Sequence, residues 1–232
     1  MAEIIPAILP KNYEDMKDKI ALVRGHAPLV QIDLCDGIFV PNTTWPFSTG
    51  GGDDFYFQRI INEQEGMPFW EDLDFELDLM VSDAVTNFDV YTKLSPRRII
   101  FHIETVGNLE EFKDFLEGID VYIRDSIEMG ISIGLSTSIE QIYPLVNSAD
   151  FVQVMGIEKV GFQGEDFSDK ALEYIKNLKE KFPDLEIAVD GGVNLENGVQ
   201  LIDAGATRLV VGSAIFNTTD IIDSIEEFKQ LG

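Results

Sequence analysis

The chain has little positive charge, few histidines and almost no cysteine. Its 232 residues include 17 Lys and Arg against 42 Asp and Glu, two His, and the single cysteine Cys35. The net charge of -25 repels polyphosphate backbones and anionic lipid surfaces, so we expect neither nucleic acid nor a membrane as a partner. One cysteine excludes an intrachain disulfide and a cysteine-rich metal site. An anionic substrate would have to enter against this net negative charge, so either the acidic residues lie on outer helices away from the site, or bound cations and helix dipoles compensate locally.

Long hydrophobic runs are also missing. No apolar stretch approaches the roughly 20 residues needed to cross a bilayer. The segment from Met1 to Pro6 lacks the basic start and apolar run of a secretion signal. Hydrophobic residues make up 45% of the chain and charged residues 25%, which is typical of a globular protein. We therefore expect a cytoplasmic protein.

Short apolar or β-branched segments alternate with amphipathic helical patterns from one end of the chain to the other. Helices are predicted over Asp169–Phe182 and Asp220–Leu231, with a further helix start near Asn194. Eight such units predict an α/β fold, a single (β/α)8 TIM barrel domain over residues 1–232, with an open doubly wound sheet as the alternative. The predicted strands are Ile4–Leu9, Leu29–Asp33, Phe75–Met80, Arg98–His102, Ser132–Leu135, Phe151–Met155, Glu186–Asp190 and Arg208–Gly212.

The segment 43–74 is longer than an ordinary barrel connection. It holds a glycine run, Gly50-Gly51-Gly52-Asp53, and then aromatic residues from Phe55 to Trp70. Loops of this length are usually functional or disordered. The segment predicts an extended β2–α2–β3 connection that forms a lid, contacts another subunit, or simply packs as a longer second helix.

Two glycine-containing turns follow the last two predicted strands. One is Asp190-Gly191-Gly192-Val193-Asn194, and the other is Val211-Gly212-Ser213. Each ends an apolar strand and starts a helical pattern, so backbone N–H groups from two neighbouring helix starts can converge on one anion. Either glycine turn alone could be only a tight turn. Together they predict a phosphate cup, as found after the last strands of (β/α)8 barrels.

Three aspartates, Asp33, Asp78 and Asp190, lie at or near the C-terminal ends of predicted strands, where active sites of barrels form. Ionised carboxylates close together are unfavourable unless a cation or a shared proton relieves them. The cluster therefore predicts a metal site, an acid/base pair, or both. Any one of the three could instead cap a helix.

Several segments complete a specific pattern that resembles the ribulose-phosphate 3-epimerase family over nearly the whole chain. They are Ile5–Leu9, Gln31–Asn42, Glu76–Val81, Phe101–Glu104, Ile133–Leu135 and Val154–Gly164, together with the two glycine turns. The resemblance implies an isomerase of carbohydrate metabolism that acts on D-ribulose 5-phosphate and D-xylulose 5-phosphate, or on a related hexulose phosphate. It also implies a homo-oligomer.

The resemblance assigns roles to individual residues. Asp33 and Asp190 are the implied catalytic pair, which transfers a proton on opposite faces of the carbon beside the ketose carbonyl. The implied substrate and phosphate site comprises Met80, Met155, Gly161, Phe162, Gly164, Gly191, Gly192, Gly212 and Ser213.

The family typically builds a metal site from two histidines and the two catalytic aspartates, whereas this chain has Gln31 and Asp78 at the histidine positions. The resulting oxygen-only set, Gln31, Asp33, Asp78 and Asp190, favours Mg²⁺ or Mn²⁺ over Zn²⁺ or Fe²⁺. Alternatively no metal binds, and Lys11 or Lys159 supplies the positive charge. We expect no organic cofactor.

Other positions near the site also differ from the family. Ala7 stands where serine is common, Cys35 stands where methionine is common, and the loop after Leu135 is short. These differences leave open an altered substrate, or a barrel that binds sugar phosphates without turnover. A related decarboxylase or synthase would carry Asp-x-Lys-x-x-Asp, and a Schiff-base aldolase a lysine within a predicted strand; neither occurs. His102 is expected to touch the substrate or metal, or to support a carboxylate through a hydrogen bond.

Overall fold

Eight parallel strands close into a barrel in sequence order. The computed structural model describes residues 2–49, 54–162 and 164–231. The last strand pairs with the first, so the closed sheet has no open edge. The (β/α)8 barrel is thereby confirmed, and the open doubly wound alternative is wrong. The strands are β1 (Glu3–Ile8), β2 (Leu29–Cys35), β3 (Asp74–Met80), β4 (Arg98–His102), β5 (Glu128–Ile133), β6 (Phe151–Met155), β7 (Glu186–Asp190) and β8 (Arg208–Val211).

Helices cover the outside of the barrel, and several begin at an Asn or Asp side chain that accepts hydrogen bonds from the first backbone N–H groups. Asn12, Asp54, Asn108 and Asp220 act in this way. In the described chain the connection from β5 to β6 contains 3₁₀ turns in place of an α-helix. The helices are α1 (Tyr13–Val23), α2 (Phe55–Ile61), α3 (Phe88–Thr92), α4 (Leu109–Gly118), α5 (Val121–Arg124), α6 (Lys170–Lys181), α7 (Leu195–Ala204), α8 (Ser213–Phe216) and α9 (Ile221–Lys229).

A search of the described residues found no helix with the length and hydropathy needed to span a bilayer.

The predicted bounds of the fifth strand were wrong. The sequence predicted Ser132–Leu135, whereas β5 covers Glu128–Ile133. A charged residue and Gly130 at its start conceal the strand, because both residue types are depleted in strands. Gly130 is needed there because a Cβ atom at this position would lie 2.4 Å from Cζ of Phe151. The missing side chain makes room for that ring inside the barrel.

The long connection between β2 and β3 packs on the outside of the barrel. The indole N–H of Trp45 donates to Asp54 at 3.0 Å, which joins the buried tryptophan to the start of α2. Tyr56 on α2 stacks on Tyr13 of α1 with ring centroids 3.9 Å apart. The predicted glycine run Gly50–Asp53 lies outside the described residues. Part of the connection therefore packs on α1, and its possible roles as a lid or a subunit contact stay predictions.

Inward-facing side chains fill the barrel in layers. Apolar clusters separate from the outer core, among them Ile100, Phe151 and Ala188, occupy the middle. At the N-terminal ends of the strands Arg98 contacts Glu76 at 3.2 Å and Glu128 at 3.0 Å, and further ion pairs join Arg98 and Arg208 to neighbouring glutamates. The opposite end of the barrel contains buried acids and amides, and it forms the candidate site described below.

The ionisation of Glu76, in the ion-pair layer at the N-terminal ends of the strands, makes the free energy of unfolding depend on pH. Burial raises its pKa from 4.5 to about 7, although Arg98 acts in the opposite direction. Between pH 4.5 and about 7, the folded protein keeps a proton on Glu76 that the unfolded chain releases. The protonated Glu76 therefore stabilises the folded state at low pH, and this stabilisation is lost as the pH rises through that range. A shift of this size corresponds to about 3 kcal/mol.

We expect Glu76→Gln to reduce the fall in the free energy of unfolding between pH 5 and pH 8, as measured by urea denaturation. Glu173→Gln, on the exposed face of α6, should keep the wild-type slope. Equal slopes for wild type and Glu76→Gln would show that Glu76 is already ionised throughout this range.

Candidate active site

Three buried aspartates meet at the C-terminal end of the barrel. Asp33 and Asp78 are register partners on β2 and β3, and Asp190 ends β7, which β8 and β1 separate from β2. One carboxylate oxygen from each lies within 4.8 Å of the others. The strand positions inferred from the sequence therefore bring the three side chains together, and none of them caps a helix in the described chain.

Gln31 links two of these carboxylates. Its side chain is fully buried, and Nε2 donates to Asp33 Oδ1 at 2.8 Å and to Asp190 Oδ2 at 2.9 Å. Both amide hydrogens are thereby directed to carboxylate oxygens. The sequence assigned Gln31 to the metal site through its oxygen, but here the nitrogen faces the aspartates.

His102 supports the third carboxylate. Its Nε2 lies 2.8 Å from Asp78 Oδ1, and both side chains are fully buried. The ring of Phe39, from the loop after β2, lies 5.3 Å from the His102 ring. Of the two roles expected for His102, this geometry matches support of a carboxylate.

The crowding of buried acids shifts their protonation. Burial raises the pKa of Asp33 well above its usual value, and the charges of Asp190 and Asp78 act in the same direction. Burial and Asp78 likewise raise the pKa of Asp190 to about 7. Burial alone would lower the pKa of His102, but the neighbouring Asp78 carboxylate raises it overall. Asp33 and Asp190 therefore hold protons more readily than ordinary aspartates, which suits a site that needs both a base and an acid.

The donor set also fits a hard divalent cation. Within the described chain, Asp78 Oδ2 is a buried acceptor without a hydrogen-bond partner. Buried acceptors are normally satisfied, so an unpaired carboxylate oxygen in a cluster of three aspartates is consistent with a cation. Asp33, Asp78 and Asp190 would hold such an ion, and all three offer oxygen, the ligand atom that Mg²⁺ and Mn²⁺ prefer.

A pocket above the aspartates contains the predicted phosphate cup. Gly191 and Gly192 have positive φ angles of 103° and 67°, and a Cβ on Gly192 would lie 2.9 Å from the backbone of Phe167. The side chains of Asn194 and Asn197 both donate to the carbonyl of Gly192, which fixes this turn at the start of α7. The pocket is lined by Asp33, Asp190, Gly191, Gly192, Gly212 and Ser213 and also by Ala7, Met80, Met155, Gly161, Phe162 and Gly164.

Hydrogen bonds that the sequence did not reveal join the loop after β2 to the loops after β6 and β3. Asn42 Nδ2 donates to the carbonyl of Gly161 at 3.1 Å and so ties the loop after β2 to the loop after β6. Asp36 accepts hydrogen bonds from the backbone N–H and hydroxyl of Ser82, each at 2.7 Å. An Asp-Gly pair such as Asp36-Gly37 is typical of a turn, but no local pattern identifies the partners of Asp36. Gln163, within the segment that carries the family resemblance, lies outside the described residues.

The remaining candidates lie around the edge of the site. Cys35 is buried against Val40 and Met80, as expected for a packed thiol. Glu104 accepts from the Gly134 N–H and the Thr137 hydroxyl, which joins the ends of β4 and β5. The side chains of Lys11 and Lys159, the alternative sources of positive charge, are exposed to solvent.

Comparison with known proteins identifies the family. The ribulose-phosphate 3 epimerase family matches residues 3–216. The cytoplasmic isoform of ribulose-phosphate 3-epimerase from Oryza sativa is 27% identical over 94% of this chain and 89% of its own length. The Bacillus subtilis ribulose-phosphate 3-epimerase is 27% identical over 99% of each chain.

Solved structures show the same fold. The crystal structure of 3-hexulose-6-phosphate synthase from Salmonella typhimurium superposes with a TM-score of 0.66 at 13% identity, covering 99% of this chain and 97% of that one. Since the family matches almost from end to end, the chain belongs to the ribulose-phosphate 3-epimerase family.

Proposed function

We propose that this chain is a cytoplasmic ketose-phosphate 3-epimerase that interconverts D-ribulose 5-phosphate and D-xylulose 5-phosphate, or the corresponding hexulose phosphates. The observation that carries the proposal is that Asp33, Asp190 and the glycine cup line one pocket. Relatives named ribulose-phosphate 3-epimerase, similar over nearly the full chain, support an isomerase.

In the proposed reaction the two aspartates act on opposite faces of C3. One carboxylate takes the C3 proton, and the electron pair of that C–H bond moves toward C2 to give an enediolate. The other aspartate, protonated beforehand, delivers its proton to the opposite face of C3, and the ketone re-forms with inverted configuration. The reverse reaction uses the two residues in exchanged roles. Asp33 and Asp190 suit this task because they reach the pocket from β2 and β7, two strands that are separated by β8 and β1.

We further propose Mg²⁺ or Mn²⁺ as the cation that suits this chain, with Asp33, Asp78 and Asp190 as ligands. When bound, the ion would stabilise negative charge on the substrate oxygens of the enediolate. Gln31 could complete the oxygen set only if its amide turned so that Oε1 faced the ion.

A second function is favoured by one specific feature. Gln31 and Asp78 stand where the family typically has histidine ligands, and such a change could leave a barrel that binds sugar phosphates in a regulatory role without converting them. The exchange experiment below separates the two functions.

Proton transfer is tested by solvent deuterium incorporation at C3 of ribulose 5-phosphate, followed by NMR. We expect exchange by the wild type, faster with added Mg²⁺ or Mn²⁺ than with Zn²⁺ or Fe²⁺. Asp33→Asn and Asp190→Asn should each lower the exchange rate by at least about 100-fold, because general acid/base groups typically contribute this much. Asp184→Asn, at an exposed position before β7, is the matched control and should leave the rate unchanged.

Full exchange by both active-site variants would contradict the assigned roles. If wild-type protein binds the phosphate ester but shows no exchange with any metal, the pentulose epimerase is ruled out and the binding role is supported.

The phosphate cup is tested separately by adding a negative charge to it. Ser213→Asp places a carboxylate at the start of α8, where helix N–H groups have no partner within the helix. We expect calorimetry to show at least tenfold weaker binding of ribulose 5-phosphate, because like charges repel. Asn217→Asp makes a similar charge change at the other end of α8, on the exposed side, and should preserve affinity. Equal affinity for Ser213→Asp would place the phosphate elsewhere.

A homo-oligomer is proposed from family membership and from two exposed aromatic side chains on the β2–β3 connection. Phe55 is 65% exposed and Trp70 is 61% exposed. Aromatic residues are enriched at subunit interfaces. Light scattering at micromolar concentration should give a multiple of the 26.0 kDa chain mass, and Phe55→Ser with Trp70→Ser should lower it. A monomeric wild type would rule out the oligomer.

A further inference from the structure

Gln31 occupies an unusual position for a buried amide. It lies inside the barrel on β2, with no solvent exposure, and both of its amide hydrogens are directed to aspartate oxygens. The two acceptors come from strands that are not neighbours, Asp33 on β2 and Asp190 on β7. The amide therefore spans the gap between the two residues that the proposed reaction requires.

The chemistry of the neighbours dictates which end of the amide faces them. Asp33 Oδ1 and Asp190 Oδ2 accept from Gln31 Nε2, so a proton that either acid retains lies on its other oxygen. A carboxylate oxygen without a proton only accepts hydrogen bonds, so an amide oxygen placed against these two would be repelled, whereas the NH₂ group offers two donors. Hydrogen bonds to ionised acceptors are the strong ones. The orientation leaves Oε1 of Gln31 buried without a partner in the described chain. Two bonds to Asp33 and Asp190 are thus formed at the expense of one unsatisfied acceptor.

We propose that Gln31 is a positioning residue that holds Asp33 and Asp190 together through its NH₂ group, with or without a cation, and that it is not a metal ligand. The claim about catalytic positioning rests on the proposed epimerase, whereas the claim about metal binding does not. A cation bound by the aspartates would compete with the amide for carboxylate lone pairs, whereas a ligating Gln31 would add to the affinity for that cation. The two roles therefore predict opposite effects of removing the amide on metal affinity.

The first test measures Mn²⁺ binding to metal-stripped protein by calorimetry at pH 8. If Gln31 positions the aspartates, Gln31→Leu should bind Mn²⁺ within threefold of the wild type or more tightly. Asp78→Asn, which alters a carboxylate of the proposed metal site, should bind at least tenfold more weakly. An affinity loss in Gln31→Leu equal to that of Asp78→Asn would overturn the proposal, because it would make Gln31 a ligand.

A matched control is available on β6. Gln153 is also a fully buried glutamine inside the barrel, but within the described chain the hydrogen bond of its side-chain nitrogen goes to the sulfur of Met155, at 3.8 Å, and not to an aspartate. Gln153→Leu should therefore leave both the Mn²⁺ affinity and the thermal midpoint of the metal-free protein close to wild type. Gln31→Leu should lower that midpoint by several degrees, because Asp33 and Asp190 lose their shared donor. An unchanged midpoint in Gln31→Leu would contradict the proposal.

Gln31→Glu tests the same role of Gln31 if the leucine variant does not fold. It has nearly the same size but replaces the donor by a further carboxylate. We expect a lower thermal midpoint without metal, recovery on adding Mn²⁺, and at least tenfold tighter Mn²⁺ binding than wild type. A metal-free Gln31→Glu protein as stable as wild type, with unchanged Mn²⁺ affinity, would overturn the proposal.

Catalytic positioning has its own readout. In the deuterium exchange assay at saturating Mn²⁺, Gln31→Leu should lower kcat at least tenfold while KM for ribulose 5-phosphate stays within threefold, since the phosphate cup is untouched. Equal loss in Gln153→Leu would show a general structural effect and overturn the positioning role. If the wild type shows no exchange at all, the proposed function fails, and the metal-affinity and stability measurements still decide the role of Gln31.

Discussion

The structure at the C-terminal end of the barrel depends on how three buried carboxylates are kept close together. Asp33, Asp78 and Asp190 lie within reach of one ion, in an environment where uncompensated charge is strongly unfavourable. The chain relieves this repulsion with two neutral or weakly basic partners, Gln31 and His102, and through protons that the acids retain. Hydrogen bonds and protons can be exchanged during a reaction, whereas a permanent ion pair with arginine would lower the pKa of the acids and hold them ionised.

The two ends of the barrel treat buried charge in opposite ways. At the N-terminal end, Arg98 and Arg208 are each surrounded by glutamates, and these pairs fix the strands relative to one another. At the C-terminal end the described chain places no arginine or lysine among the three aspartates. Charge is balanced by arginine ion pairs in one layer and by hydrogen bonds and retained protons in the other, so a single closed sheet keeps its stabilising ion pairs apart from its cluster of acids.

The sequence was most informative where one residue determines both local structure and chemistry. Asp190-Gly191-Gly192 predicted a strand end, a turn and a phosphate site, and β7 covers the predicted residues. It was least informative where partners are distant along the chain. Asn42 meets Gly161 across 119 positions, and no local pattern signals such a contact. Strand β5 was displaced for a related reason, since Gly130 is explained only by the ring of Phe151 on the next strand.

Gln31 shows the same limit most clearly, because its role depends on which end of its amide faces the site. By residue type alone, a glutamine beside aspartates can ligate a cation through oxygen or bind carboxylates through nitrogen. The choice follows from the geometry: two carboxylate oxygens lie 2.8 and 2.9 Å from one nitrogen, so the donor end is required wherever those oxygens carry charge. Histidine at the same position could direct only one ring N–H toward the pair. An amide is therefore suited to hold two acids at once. Glutamine in place of the family's histidine at position 31 changes the way the two aspartates are held together.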